Sequence, residues 1–319
     1  MISVKRMNFA DHLNKGFIIL IFAILFYVIL AFYSDYGQIL NNWRRIETSY
    51  IPGIIMCIVL SGYLKSIRQK FLLNIVSIKI SLKDSFVIFF AGLSLLVTPG
   101  ASGTFVKAYF LKQKLGANIS KTIPVILIER YLDMIGILSI LSLFSIFLYL
   151  KELVVPILII DIFLVIVLFM FKSRKLPRVI VFFLKKLRRG DDFMENTTQF
   201  HESIVLLTSK KNMLVTIPFS MISWMVDVIT FYLCFLSFGL SLNIIETALI
   251  SLSSLAFGFI TLIPGGLGVT EVSMITFLTR RGIDLSLASS LVLFTRMWTM
   301  WFVTFLGFIT IRIALKKST

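Results

Sequence analysis

Hydrophobic residues in this chain fall in long unbroken blocks, not in short alternating runs. The blocks cover residues 17–33, 49–64, 85–97, 122–150, 153–171, 213–237, 247–263 and 285–311. A helix crosses the roughly 30 Å hydrocarbon core of a bilayer with about 17 to 25 apolar residues. Six of the blocks are long enough; block 85–97 is too short, and block 247–263 ends at Pro-Gly-Gly. A transmembrane β-barrel would show alternating segments of about ten residues instead. The pattern predicts an all-α integral membrane protein with six full spans and two broken re-entrant hairpins, eight apolar segments in one membrane domain over residues 1–319. The second arms of the hairpins are placed at 104–115 and 269–279.

The two breaks match. "LVTPGASGTF" carries Pro99, Gly100 and Gly103, and "TLIPGGLGVTE" carries Pro264, Gly265, Gly266 and Gly268. Beyond Pro99 come Gly116 and Arg130; beyond Pro264 come Gly282 and Arg296, at offsets that differ by one residue. Each glycine is followed by a polar step and a long apolar helix. The repeated unit is a span, a broken hairpin and a span with an arginine, over 49–150 and again over 213–312. The crossing at 153–171 between them turns the second copy upside down. Paired Pro/Gly-interrupted segments in inverted repeats point to a transporter with its site at the repeat interface. A break also frees backbone N–H groups that lipid cannot satisfy. The first turn of each second arm then offers donors and a positive dipole end, suited to a phosphate.

Charge sets the orientation. Of 32 Lys and Arg residues, 25 fall in segments that an N-in, C-in arrangement places in the cytoplasm, and 5 fall outside. That bias follows the positive-inside rule, and it predicts a cytoplasmic-membrane protein with both termini inside. The basic loop 172–212, with its stretch "KLPRVIVFFLKKLRRG", is expected to lie on the anionic inner leaflet. The net charge of +16 is thus explained by orientation, and no nucleic-acid partner is expected.

Inside the membrane, ionisable side chains are costly and face a cavity or a partner. Glu129, Arg130 and Asp133 share one helix face. Arg130 and Arg296 are the candidate headgroup contacts, with the carboxylates tuning Arg130. The partner of Arg296 is expected to be Glu271 or Asp227; Glu271 is either that counter-ion or a proton-coupling group. Lys107 either reaches a phosphate or snorkels to the interface. Trp298 and Trp301 read as interfacial anchors. The chain has 58% hydrophobic residues, two isolated cysteines and two isolated histidines. No metal, cofactor or zinc spacing is recognisable, and none is expected.

These residues also carry a resemblance. "TPGASGTFVKAYFLKQKLG" with "ERYLD", and "IPGGLGVTEVSMITFL" with "TRMW", resemble the flippase-like membrane domain of bacterial lysylphosphatidylglycerol synthetases and their stand-alone relatives, over nearly the whole chain. The resemblance implies movement of a charged lipid between leaflets. The chain stops at Thr319, so it implies transport and not aminoacyl transfer. The leading expectation is a non-enzymatic flippase or transporter for a phospholipid or polyprenyl-linked glycan. Its expected partners are membrane lipids and envelope-glycan or lipid-modifying enzymes. The rivals are an enzyme acting on a lipid phosphate, which would want an Asp-rich metal cluster or a catalytic His, and an envelope-biogenesis scaffold, which would not need charges inside the membrane.

Overall fold

The structure, a computed structural model, describes residues 25–29, 32, 34–96, 103–147, 151–173, 197–261 and 263–316, and every regular element among them is helical. After the short helix α1 (Tyr36–Arg44) come α2 (Ile51–Ile75), α3 (Leu82–Leu93), α4 (Val106–Leu115), α5 (Ile119–Phe147) and α6 (Lys151–Lys172). The second half holds α7 (Thr197–Leu207), α8 (Lys210–Ser237), α9 (Ile244–Ile260), α10 (Val269–Arg280), α11 (Leu285–Arg296) and α12 (Val303–Ala314). A π-helical turn, Met297–Phe302, joins the last two into one rod.

Local chemistry sets the helix ends. Pro52 lies in the first turn of α2, where its missing N–H costs nothing. Ser81 caps α3 by accepting the Asp84 N–H at 3.0 Å. Gly116, at φ 66°, closes α4 in the left-handed conformation. Asn243 and Glu246 cap α9 reciprocally. In the polar steps after Gly116 and Gly282, Asn118 accepts the Ser120 N–H at 2.9 Å and Asp284 accepts the Ser286 N–H at 2.9 Å, so both steps start the next helix.

Helices α3 and α4 have 12 and 10 residues; at 1.5 Å per residue they measure about 18 and 15 Å, roughly half a hydrocarbon core. The α9 and α10 helices have 17 and 12 residues. In each case the two arms pack against one another. Thr48–Ile75, Lys210–Ser237 and Leu285–Ala314 are, among the described residues, long and apolar enough to cross a membrane. Helix α5 is as long, but Glu129, Arg130 and Asp133 interrupt its apolar run.

The long helices α2 and α8 pack against each other, and α8 also packs on α5. Helix α5 lies against α9, while α12 lies against α3. One core cluster gathers around α5, with Ile88, Leu132, Ile137, Val228 and Leu252. A second gathers around α10 and α11, with Ile54, Phe235, Met274, Leu278 and Leu291. Lipid tails are as apolar as leucine, so close backbone approach carries much of the association. At Gly307 on α12 a Cβ would lie 2.5 Å from the Ser94 nitrogen and 2.7 Å from the Phe90 carbonyl oxygen. Only glycine permits that crossing. Outward faces keep exposed apolar side chains such as Met56, Phe169 and Leu214, as a lipid-facing surface requires.

Several sequence boundaries shift. Helix α2 continues to Ile75, so Lys65 and Arg68, counted as cytoplasmic loop residues, stand on a helix. Part of the loop 172–212 folds: α7 buries Phe200, Ile204 and Leu207 and packs on α5 and α6. The basic, apolar stretch of that loop lies outside the described residues, as do Pro99, Gly100 and much of block 17–33. Gly103 opens a 3-10 turn that leads into α4.

Candidate functional site

The second break is built from glycine. Pro264–Gly266 form a single 3-10 turn, with Gly265 at φ 60° and ψ 10°. Gly266 and Gly268 follow at φ 66° and 84°. These left-handed values favour glycine, which has no Cβ to strain. At Gly266 a Cβ would also come within 2.5 Å of Thr270 Oγ1 and 3.2 Å of Gly258 Cα. The break therefore sits tight against the end of α9.

Glu271 lies in the first turn of α10 and is fully buried. It accepts the Gly268 N–H at 2.7 Å, the Arg296 Nε–H at 2.7 Å and the Tyr27 hydroxyl at 2.9 Å. Arg296 also donates to the Gly265 carbonyl through Nη2. The anion at this helix N-terminus is thus the protein's own carboxylate, where the sequence suggested a lipid phosphate. Of the two partners weighed for Arg296, Glu271 holds it. Asp227 instead pairs with Lys65 on α2.

The first hairpin has a matching tie of opposite sign. Lys107, near the start of α4, binds Glu129 of α5 and donates to Gln69 Oε1 at 3.1 Å. Both charged groups are 1% exposed. Lys107 is therefore neither a snorkelling lysine nor a cavity-facing one. Each second arm is joined to the following long helix by a buried ion pair, Lys107–Glu129 in one and Glu271–Arg296 in the other. In these two ties Glu129 and Arg296 are the groups on the long helix, and Arg130 belongs to neither.

Arg130 points elsewhere. A cavity of about 630 Å³ is walled by α2, α3, α5, α6, α8, α9, the second break and the rod α11–α12. Among the described residues, its charged lining is Lys65, Arg130, Asp133, Asp227 and Arg296. Asp133 is bound tightly by Arg68, at 2.6 Å, and only loosely by Arg130, at 3.5 Å. Arg68 donates its other terminal nitrogen to Ser220 at 2.7 Å. Lys65 Nζ lies 4.2 Å from the centre of the Trp224 ring, a cation–π arrangement. Two buried polar atoms on the cavity lining lack a partner, Arg130 Nε and Trp224 Nε1. Both are donors. The rest of the wall is largely apolar, and Phe163, Ile260 and Ile263 on it are also exposed at the protein surface.

Residues 18–307 match the family described as the lysylphosphatidylglycerol synthase TM region. The chain belongs to this family. A UPF0104 membrane protein of Pyrococcus horikoshii is 24% identical over 92% of this chain and 95% of its own length. One from Methanothermobacter thermautotrophicus is 24% identical over 92% of this chain and 94% of its own. Another, from Methanocaldococcus jannaschii, is 27% identical over 66% of this chain and 89% of its own. Family membership makes the chain an integral membrane protein, in keeping with its apolar helices.

For this family member, sequence reasoning found Arg130, Arg296, Glu271, Asp133 and Asp227, and the structure places all five in or beside the cavity. It missed Lys65, Arg68, Gln69 and Trp224. The spacing of Lys65, Arg68 and Gln69 after Ser61 puts them on one face of a continued α2. That signal was overridden by ending the span where the apolar run ended. Trp298, read as an interfacial anchor, has its indole N–H buried without a partner, packed between Phe294 and Phe302.

Proposed function

We propose that this protein moves an anionic or headgroup-bearing lipid, a phospholipid or polyprenyl-linked glycan, across the cytoplasmic membrane without altering it chemically. The observation that carries this reading is Arg130: a cation on a largely apolar cavity, with one 3.5 Å contact and an unpartnered buried Nε. A cation so placed is incompletely paired, and an arriving phosphate supplies what it lacks. A guanidinium holds a phosphate through two parallel donors. The apolar rim of Phe163, Ile260 and Ile263 favours a lipid over a soluble anion. It lets acyl or prenyl tails remain in the bilayer while the headgroup enters. Membrane lipids are then the primary partners, and envelope-glycan or lipid-modifying enzymes supply or receive the lipid.

The same reading arranges the helices as six spans and two re-entrant hairpins in an inverted repeat, with both termini in the cytoplasm. The sign-exchanged ion pairs support the repeat. So do the reciprocal packing of α5 on α9 and of α12 on α3. Moving Lys65, Arg68 and Lys107 inward removes three of the 25 basic residues assigned to the cytoplasm and keeps the orientation. The test is leaflet-to-leaflet movement of a fluorescent phospholipid in proteoliposomes. Wild-type protein accelerates it, and Arg130→Gln slows it while inserting normally. Equal rates in both remove the phosphate path.

A further inference from the structure

The cavity's charges do not balance. Among the described residues, the charged groups on its lining, with their ion-pair partners, are Lys65, Arg68, Arg130 and Arg296 against Asp133, Asp227 and Glu271. Four cations face three carboxylates, and each carboxylate holds at least one cation. One positive charge is left over. Geometry assigns it to Arg130, because Asp133 is already engaged at 2.6 Å by Arg68. The neighbouring pair Lys107–Glu129 is neutral by itself and off the cavity wall. Asp161, on α6, accepts a hydrogen bond from Ser142 at 3.0 Å and is not part of the lining.

We infer that the headgroup accepted by this cavity carries one net negative charge, on a phosphodiester, and that phosphomonoester and diphosphate lipids are rejected. This rests on the transport reading above. An occupant with one negative charge makes the loaded cavity neutral. A second negative charge is left without a counter-charge in a low-dielectric site, which costs several kcal/mol. The unpartnered atoms agree with the sign: both Arg130 Nε and Trp224 Nε1 are donors, so the occupant must accept. Size argues against a bare carboxylate. A volume of about 630 Å³ is that of roughly twenty waters, enough for a phosphodiester with a polyol or sugar beyond it. Two lipid sources share this chemistry, glycerophospholipids and polyprenyl phosphoryl sugars.

Purified full-length protein in neutral-lipid vesicles at pH 8 separates the possibilities. The labelled probes are phosphatidylglycerol, a polyprenyl phosphoryl hexose, phosphatidic acid and a polyprenyl diphosphate sugar. Phosphatidic acid is mostly dianionic there, because a phosphomonoester has a second pKa of about 6. The expected result is movement of one or both phosphodiesters, the faster one naming the source, with the other two at least roughly tenfold slower. Asp227→Asn adds one positive charge and should shift the preference towards phosphatidic acid. Lys65→Gln removes one and, with labelled phosphatidylethanolamine added to the panel, should shift the preference towards that zwitterion. Elution profiles in detergent serve as folding checks. Phosphatidic acid or the diphosphate moving as fast as the phosphodiesters overturns this inference and leaves the transport reading standing. Movement of none of the lipids overturns both.

Discussion

Replacing Glu271 with glutamine puts the second break under a quantitative test. The carboxylate accepts three donors at 2.7–2.9 Å, from Gly268, Arg296 and Tyr27. Glutamine keeps one acceptor oxygen and turns an N–H₂ towards at least one of those donors. Arg296, 4% exposed, would be left as an uncompensated buried cation. Removing one member of a buried pair costs about 3–5 kcal/mol. Because the amide still accepts from one donor, the expected loss is near the lower end, about 3 kcal/mol, or roughly 150-fold in the folded-to-unfolded ratio. The assay is unfolding in detergent followed by tryptophan fluorescence, beside the fraction eluting as a single species. Removing the cation as well, in Glu271→Gln with Arg296→Met, should recover a large part of the loss, since the unpaired charge is gone. A single variant within about 0.5 kcal/mol of wild type would refute the ion-pair account. Transport that loses only its pH dependence in an equally stable Glu271→Gln protein would mark the residue as a proton-coupling group.

Other changes have expected outcomes of different size. Gly266→Ala combines a left-handed φ with a steric conflict at Thr270 and Gly258 and should cost about 1–3 kcal/mol in the same unfolding assay. Gly116→Ala meets no neighbour within 4 Å and should cost only the backbone strain, about 1 kcal/mol. Gly307→Val should separate α12 from α3 and lower the yield of folded protein, because backbone atoms oppose the new Cβ. Single cysteines in a background lacking Cys57 and Cys234 report topology. Position 190 should resist an impermeant reagent in intact cells and position 282 should react; the opposite pattern would reverse the orientation.

The architecture was legible because apolar block length and glycine placement are direct consequences of bilayer thickness and backbone geometry. Among the described residues, α2–α6, α8–α10 and the rod α11–α12 each overlie a block or arm drawn from the sequence alone. The site was legible in part. Glu271 and Arg296 were identified because intramembrane charges are few and each needs a partner. Matching Arg130 with Arg296 by residue type did not anticipate that Glu129 is the group on α5 that ties the preceding arm. Lys107 with Glu129 and Glu271 with Arg296 do the same mechanical work with opposite polarity. Lys65 and Arg68 were hidden because a helix that leaves the apolar run while remaining buried inside the protein looks like a loop in hydropathy. Trp224 gives no signal in sequence, since its role depends on which side of α8 meets α2.

The most direct measurement is capture of a lipid headgroup in the cavity. A phosphatidylglycerol probe with a photoreactive group beside the phosphate, irradiated with the wild-type protein in vesicles, should label cavity residues such as Lys65, Trp224 and Thr230, and Arg130→Gln should reduce that labelling. Adducts confined to outward-facing residues such as Met56, Phe169 and Leu214, and unchanged by Arg130→Gln, would contradict the account.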